Sequence, residues 1–221
     1  MGNIWIVTKR EFASFFATPV AYVFIAIFLM LSGIFTFFIG NLYERGQADL
    51  IPFFNFHPWL YLFLVPAIAM RSWAEERKSG SIELLMTLPI SVAEAVLGKF
   101  IAAWLVLGLA LALTFPLWLS VDFLGEPDHG IIVAAYIGSW LMAGAFLAIS
   151  TCMSAFTRNQ VVAFILAVVV CFLFVVSGSS IVLDAFQPWA GNLILDTVAS
   201  FSFLSHFEAM AKGVLALNDV G

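Results

Sequence analysis

Long apolar runs separated by short polar stretches organise this chain. A hydrocarbon core about 30 Å thick takes about 20 apolar residues in helical form. Five runs are read as spans on that basis: residues 19–40, 53–70, 92–121, 131–156 and 160–183. Their apolar positions are continuous rather than alternating, so the two-residue period of a lipid-facing strand is absent. Helix-boundary residues punctuate the runs. Thr18 and Pro19 read as N-cap and first helical residue of the first span. Ser91 and Glu94 form a Ser-x-x-Glu capping box ahead of the third, and Thr157 with Gln160 reads as a second box ahead of the fifth. The second run is shorter and is interrupted by Pro58 and Pro66. The pattern predicts an all-α, polytopic transmembrane helix bundle forming a single domain over residues 1–221.

Two segments flank the spans. Over residues 3–17, at about 100° per residue, Trp5, Phe12 and Phe16 share one face and Asn3, Arg10 and Ser14 lie opposite. This predicts an amphipathic interfacial helix with Lys9 snorkelling. It is either a plain anchor or a brace that touches a partner. Residues 184–221 hold two moderately apolar patches broken by Asp196, His206, Glu208 and Lys212. They read as interfacial or re-entrant helices on the outer leaflet, with a sixth span expected to follow in a longer natural chain. The first apolar run has the length of a span rather than of a cleaved leader.

Charge sets the orientation. Lys9, Arg10, Arg71, Arg77, Lys78, Lys99 and Arg158 fall on one side of the five-span scheme, and Arg45 and Lys212 on the other. Seven against two places the N-terminus in the cytoplasm. With 63% hydrophobic and 10% charged residues, against about 25% charged in soluble domains, a water-soluble globule is excluded. The 24 Phe and 7 Trp suit a lipid-facing, interfacial surface. A net charge of -5 with no basic stripe argues against nucleic acid.

Chemistry-bearing motifs are sparse. Cys152 and Cys171 sit inside apolar runs and read as small hydrophobes. His57, His129 and His206 are far apart and read as interfacial imidazoles, not as metal ligands. No G-x-x-x-x-G-K-[ST] phosphate loop occurs, so ATP hydrolysis of that type is not expected of this chain. Charged residues crowd the span ends, which weighs against an ion-coupled pathway. Small residues recur four apart in the fourth span: Ala134 with Gly138, Ser139 with Ala143, Gly144 with Ala148. Close helix packing is the first reading of that stripe and a substrate path the second.

The exception to this apolar character is the stretch from Arg71 to Ser91, which holds six of the 23 charged residues. Arg71 to Lys78 can carry span two out of the membrane as a charged helix. Ser79-Gly80-Ser81 breaks it. Ile82 to Leu88 can then form two turns, with Ile82, Leu85 and Met86 on one face and Glu83 and Thr87 on another. Pro89 stops them. The apolar face of this short helix either packs on the bundle's own end or docks a soluble partner.

Glu75-Glu76-Arg77-Lys78, Gly80, Ser81-Ile82-Glu83-Leu84-Leu85, Leu88-Pro89-Ile90-Ser91 and Gly98-Lys99 together resemble the type-2 ABC exporter permeases. The likeness is greatest to their gliding-motility-associated branch. Ser202 to Val220 is similar to the outer segment before that family's last span, and the resemblance covers essentially the whole chain. It implies a six-span permease of the inner membrane, paired with a second permease half as a homo- or heterodimer. Two cytoplasmic ABC ATPase subunits would bind ATP and Mg below it, with no cofactor in this chain and no enzyme activity of its own. The segment 71–91 would be the coupling segment, with its helix between spans two and three. On that reading the ATPase-interface residues are Arg71, Glu75, Glu76, Arg77, Lys78, Gly80, Ser81, Ile82, Glu83, Leu85, Met86 and Pro89, with Lys9 and Arg10 from the first helix. Glu83 is the expected specific polar contact. A rival reading is a membrane scaffold that recruits a soluble factor without turnover. A membrane-embedded enzyme is disfavoured, because no titratable residues converge inside the spans.

Overall fold

The computed structural model describes residues 2–87, 89–177 and 207, and for residues 84–86 the backbone alone. Among the described residues every regular element is a helix. In order these are α1 (Gly2–Ala17), α2 (Val20–Ile34, continuing as a π-helical turn over Phe35–Ile39), α3 (Ile51–Asn55), α4 (His57–Ala69) and α5 (Arg71–Ser79). Then follow α6 (Ser81–Thr87), α7 (Val92–Ala112), α8 (Phe115–Leu124), α9 (His129–Phe156) and α10 (Gln160–Val176). Residues 184–221, expected to form an outer interfacial or re-entrant segment, lie outside the described residues apart from Phe207, as does the expected sixth span.

Among the described residues three stretches are long and apolar enough to cross a membrane: Val20–Ile39, Val92–Leu124 and His129–Phe156. The second predicted run is not one helix. It divides into α3 and α4, and α4 has 13 residues. Pro58 stands in the first turn of α4, where its missing N–H costs nothing, but Pro66 lies inside it and removes a helical donor. α10 has 17 described residues.

Two of the three cap assignments shift. The Ser91–Glu94 box forms as expected, with Glu94 N–H donating to Ser91 Oγ at 3.2 Å and Ser91 N–H donating to Glu94 Oε2 at 2.8 Å. Thr18 does not cap α2. Its hydroxyl instead donates to the Ser14 carbonyl at 3.3 Å, because the last turn of α1 leaves that acceptor within reach. At α10 the cap is Asn159, whose side chain accepts from Val161 N–H at 2.9 Å. Thr157 accepts from Asn159 N–H at 3.1 Å and so supports the cap rather than forming a box with Gln160. Asn159 stands directly before the helix and is the better N-cap type.

The central element is α9, which packs against α4, α5, α7 and α10. Small residues let neighbours approach it on several sides. Gly138, Ala143 and Gly144 are buried. Ala148 is exposed, because the four-residue spacing winds around the helix and carries that residue off the packed faces. The α7–α9 contact is a reciprocal tryptophan clasp. Trp104 and Trp140 stack with ring centres 4.2 Å apart. Trp104 Nε1 donates to the Trp140 carbonyl at 2.9 Å, and Trp140 Nε1 to the Trp104 carbonyl at 3.3 Å. A Cβ at Gly144 would stand 3.0 Å from Trp104 Nε1. We therefore expect Gly144→Val to cost about 1–3 kcal/mol by overpacking, read as a lower thermal midpoint in detergent; an unchanged midpoint would show that the clasp tolerates a larger neighbour.

His57 departs from its expected interfacial place. It is fully buried, with its ring centre 4.3 Å from that of Phe53 and 5.4 Å from that of Tyr61. The helix break at Phe56 turns it inward. Its Nδ1 lies 3.0 Å from Ser139 Oγ, which lies 2.8 Å from the Tyr61 hydroxyl. A polar chain thus ties α4 to α9 within an aromatic shell, where unpaired groups would be costly.

The N-terminal helix α1 lies along α7. Its packed face is rotated from the aromatic one: Val7 and Thr8 are buried, Phe12 and Phe16 are half-buried, and Trp5 is 63% exposed. The close approach explains the choice. A Cβ at Gly98 would meet Val7 Cγ1 at 2.6 Å, so a compact residue on α1 faces a glycine on α7.

Candidate functional site

The insert begins at a helix break, and a break exposes backbone groups that need partners. Ser154, buried near the end of α9, supplies them. Its hydroxyl donates to the Met70 carbonyl at 2.9 Å and accepts from the Trp73 and Ala74 N–H groups at 3.1 Å each. One side chain from a distant helix therefore caps the start of α5. Further along, Arg77 donates to the Ala155 carbonyl, placing a cation at the C-terminal end of α9.

α5 ends at Gly80, whose φ of +74° is a left-handed conformation that favours glycine. The chain then turns into α6. Ser79 Oγ and Ser81 Oγ lie 2.9 Å apart across this corner. Ile82 is half-buried and belongs to a small apolar cluster with Trp73, Ala95 and Ile90. Part of the short helix thus packs on the bundle's own end. Glu83, Thr87 and Pro89 are exposed. The side chains of Leu85 and Met86 lie outside the described ones.

Behind this corner sits Lys99, two turns into α7 and only 6% exposed. Its ammonium lies 2.7 Å from Glu76 Oε1 on α5 and 3.3 Å from Glu11 Oε2 on α1. It also stands 5.3 Å from the centre of the Trp73 ring. Arg10 reaches Glu11 at 2.6 Å. The result is an alternating series, Arg10, Glu11, Lys99, Glu76, crossing three helices. Beside it, Arg71 holds Glu75 through bonds of 2.8 and 3.1 Å. That guanidinium keeps the Glu75 carboxyl below the usual carboxylate range, and the carboxylate in turn raises the pKa of Arg71. Both groups are substantially exposed, so the pair contributes little stability. A cleft of about 210 Å³ opens between these helices, lined by Glu11, Ser14, Arg71, Glu75, Glu76 and Lys99 among others.

The expected site residues are therefore divided. Arg10, Glu76 and Arg77 have partners inside the chain, and Arg71 and Glu75 have each other. Lys9, Lys78, Gly80, Glu83 and Pro89 face outward, and Ser81 is half-buried. Sequence reasoning missed Ser154 and Glu11 and did not see Lys99 as buried. The available signals were a lysine two turns inside an apolar helix and an isolated serine near the end of another. Among the described residues no group of three His, Cys, Asp or Glu side chains is placed to hold a metal.

A family model described as "ABC-2 family transporter protein" matches residues 50–220. The chain belongs to the ABC-2 transporter family. Among curated proteins none matches it. The matched region begins at Leu50 and takes in the insert and helices α3 to α10, leaving α1 and α2 outside it. As an ABC-2 family member the chain is a membrane permease, the transmembrane component of an ABC transporter rather than its ATPase. Family membership also implies an ABC ATPase subunit as partner.

Proposed function

We propose that this ABC-2 chain is the permease of an exporter in the inner membrane, with its N-terminus in the cytoplasm, and that residues 71–91 couple it to the ATPase. The observation that carries this reading is the construction of the insert. α5 is fastened to α9 by Ser154 and presents, across the Gly80 corner, a short helix whose Glu83 and Thr87 face outward. A mere connection between two spans needs only a few residues.

In this mechanism ATP and Mg bind between two ATPase subunits, and their closure displaces α6. α5 carries the displacement to α9 through the Ser154 clamp and to α4 across Met70. Two permease halves, held in lipid, then change their relative positions by hinge or shear motion. Glu83 makes the specific polar contact, with Lys78, Pro89, Lys9 and Arg10 around it and an apolar anchor from Ile82, Leu85 and Met86. Glu76 and Arg77, which have internal partners, act from within the permease. The motif run from Glu75 to Lys99 favours the gliding-motility-associated branch of the family.

The test is affinity purification of the permease with its co-expressed ABC ATPase. Glu83→Arg is expected to cut the bound ATPase about tenfold or more, the scale of a lost interfacial charge contact. The thermal midpoint of the permease should be unchanged, because Glu83 is exposed. Native ATPase recovery with Glu83→Arg would remove Glu83 from the interface.

A further inference from the structure

Among the described residues Lys99 is the one lysine or arginine that is buried. Burying an ammonium is costly unless carboxylates close on it. Here they come from two separate helices, Glu76 from α5 and Glu11 from α1, while Lys99 itself belongs to α7. We propose that Lys99 is a positioning residue: a three-way joint that makes α1 follow α5 when the insert moves. This rests on the coupling role proposed for residues 71–91.

Three features separate the joint from ordinary packing. The Ser154 clamp on α5 uses one hydroxyl and fixed backbone groups, and it acts at Trp73 and Ala74. It defines where α5 is held. Glu76 comes two residues later, on the way to α6, so its contact with Lys99 responds to tilting of α5 about that point. The second feature is the chemistry of the cation. A lysine ammonium carries three rotatable donors on a flexible stem, so it keeps an ion pair through small displacements that would break the planar fork of an arginine. The third is Glu76 itself. Oε1 takes the Lys99 contact, while Oε2 is buried and has no hydrogen-bond partner among the described residues. A second acceptor thus lies within the same carboxylate, and the ammonium can move onto it as α5 shifts. On the other side Glu11 ties Lys99 to α1, and Arg10 balances Glu11, so the four-member series is neutral.

The test places spin labels on two exposed positions outside the proposed ATPase contact, Ala13→Cys on α1 and Ser79→Cys on α5, with Cys152 and Cys171 replaced by serine and alanine. The α1–α5 distance is measured in the permease alone and in its ATPase complex trapped with vanadate. With the joint intact the distribution is narrow and stays at the same distance on trapping. Glu76→Gln keeps the shape of the side chain but removes its charge. It is expected to broaden the distribution in the permease alone and to make the distance shift on trapping, while the ATPase still binds. Lys99→Met should do the same, and Lys99→Arg should restore the narrow distribution while tolerating less movement on trapping. Distributions of Glu76→Gln and Lys99→Met that match the unsubstituted protein in both states would overturn the joint. Failure of the unsubstituted permease to bind its ATPase would instead defeat the coupling reading, and the permease-alone comparison would still decide whether Lys99 holds α1 to α5.

Discussion

Tyr61→Ala is expected to lower the stability of the bundle by about 4 kcal/mol, and Tyr61→Phe by about 1 kcal/mol. The Tyr61 ring is 2% exposed and stacks against Phe28 at 6.0 Å and His57 at 5.4 Å. Its hydroxyl meets Ser139 at 2.8 Å. Truncation to alanine removes the dispersion contacts on which helix association in lipid depends, because hydrocarbon around the protein is as apolar as the core. It also leaves a void between α2, α4 and α9 that no neighbouring backbone can close without moving. Phenylalanine retains the ring and loses one hydrogen bond, and Ser139 keeps His57 as a partner. Unfolding midpoints in a mild-detergent and dodecyl sulfate series separate the two cases. Equal losses for both variants would mean that the hydroxyl, not the packing, holds α4 to α9.

Ser154→Ala is the second large effect, expected at about 2–3 kcal/mol. The substitution removes one oxygen but strips the partner from the Met70 carbonyl and a partner from each of two N–H groups at the start of α5. Ser154 and Ala74 are fully buried and Trp73 is 7% exposed, so the insertion of a replacement water is sterically opposed. The loss should be local as well as global. Hydrogen exchange at residues 71–76 should quicken more than exchange in α7, which Ser154 does not touch. Unaltered exchange across α5 would show that the helix start is held by something other than this hydroxyl.

What could be read from the sequence was local. The apolar runs that became α2, α7 with α8, and α9 carry their own length signal, and the Ser91–Glu94 box sits within four residues of chain. The cap at α10 failed by two positions because Thr157 and Asn159 are both good capping residues, and the winner is set by where the chain turns after Phe156. The second run reads as one apolar segment, yet the helix breaks at Phe56, directly before His57 and Pro58, and that break turns His57 inward while α4 continues through Pro66. The site was the least legible part. Lys99 with Glu11 and Glu76, and Ser154 with Met70 and Trp73, join residues 23 to 88 positions apart in sequence. Nothing in periodicity or spacing encodes such pairs. In the small-residue stripe of α9, Gly138, Ala143 and Gly144 are buried and Ala148 is exposed, and the tryptophan clasp against Gly108 and Gly144 required both helices to be placed first.

The central claim is that the short helix after Gly80 is the place where an ABC ATPase grips this permease. A photo-crosslinking amino acid at position 83, in membranes from cells co-expressing both subunits, tests it directly. One product with the mass of permease plus ATPase is expected on illumination, with none when the same residue replaces Tyr43, which is exposed in the segment between α2 and α3. Absence of that product from position 83, or its appearance from position 43, would contradict the account.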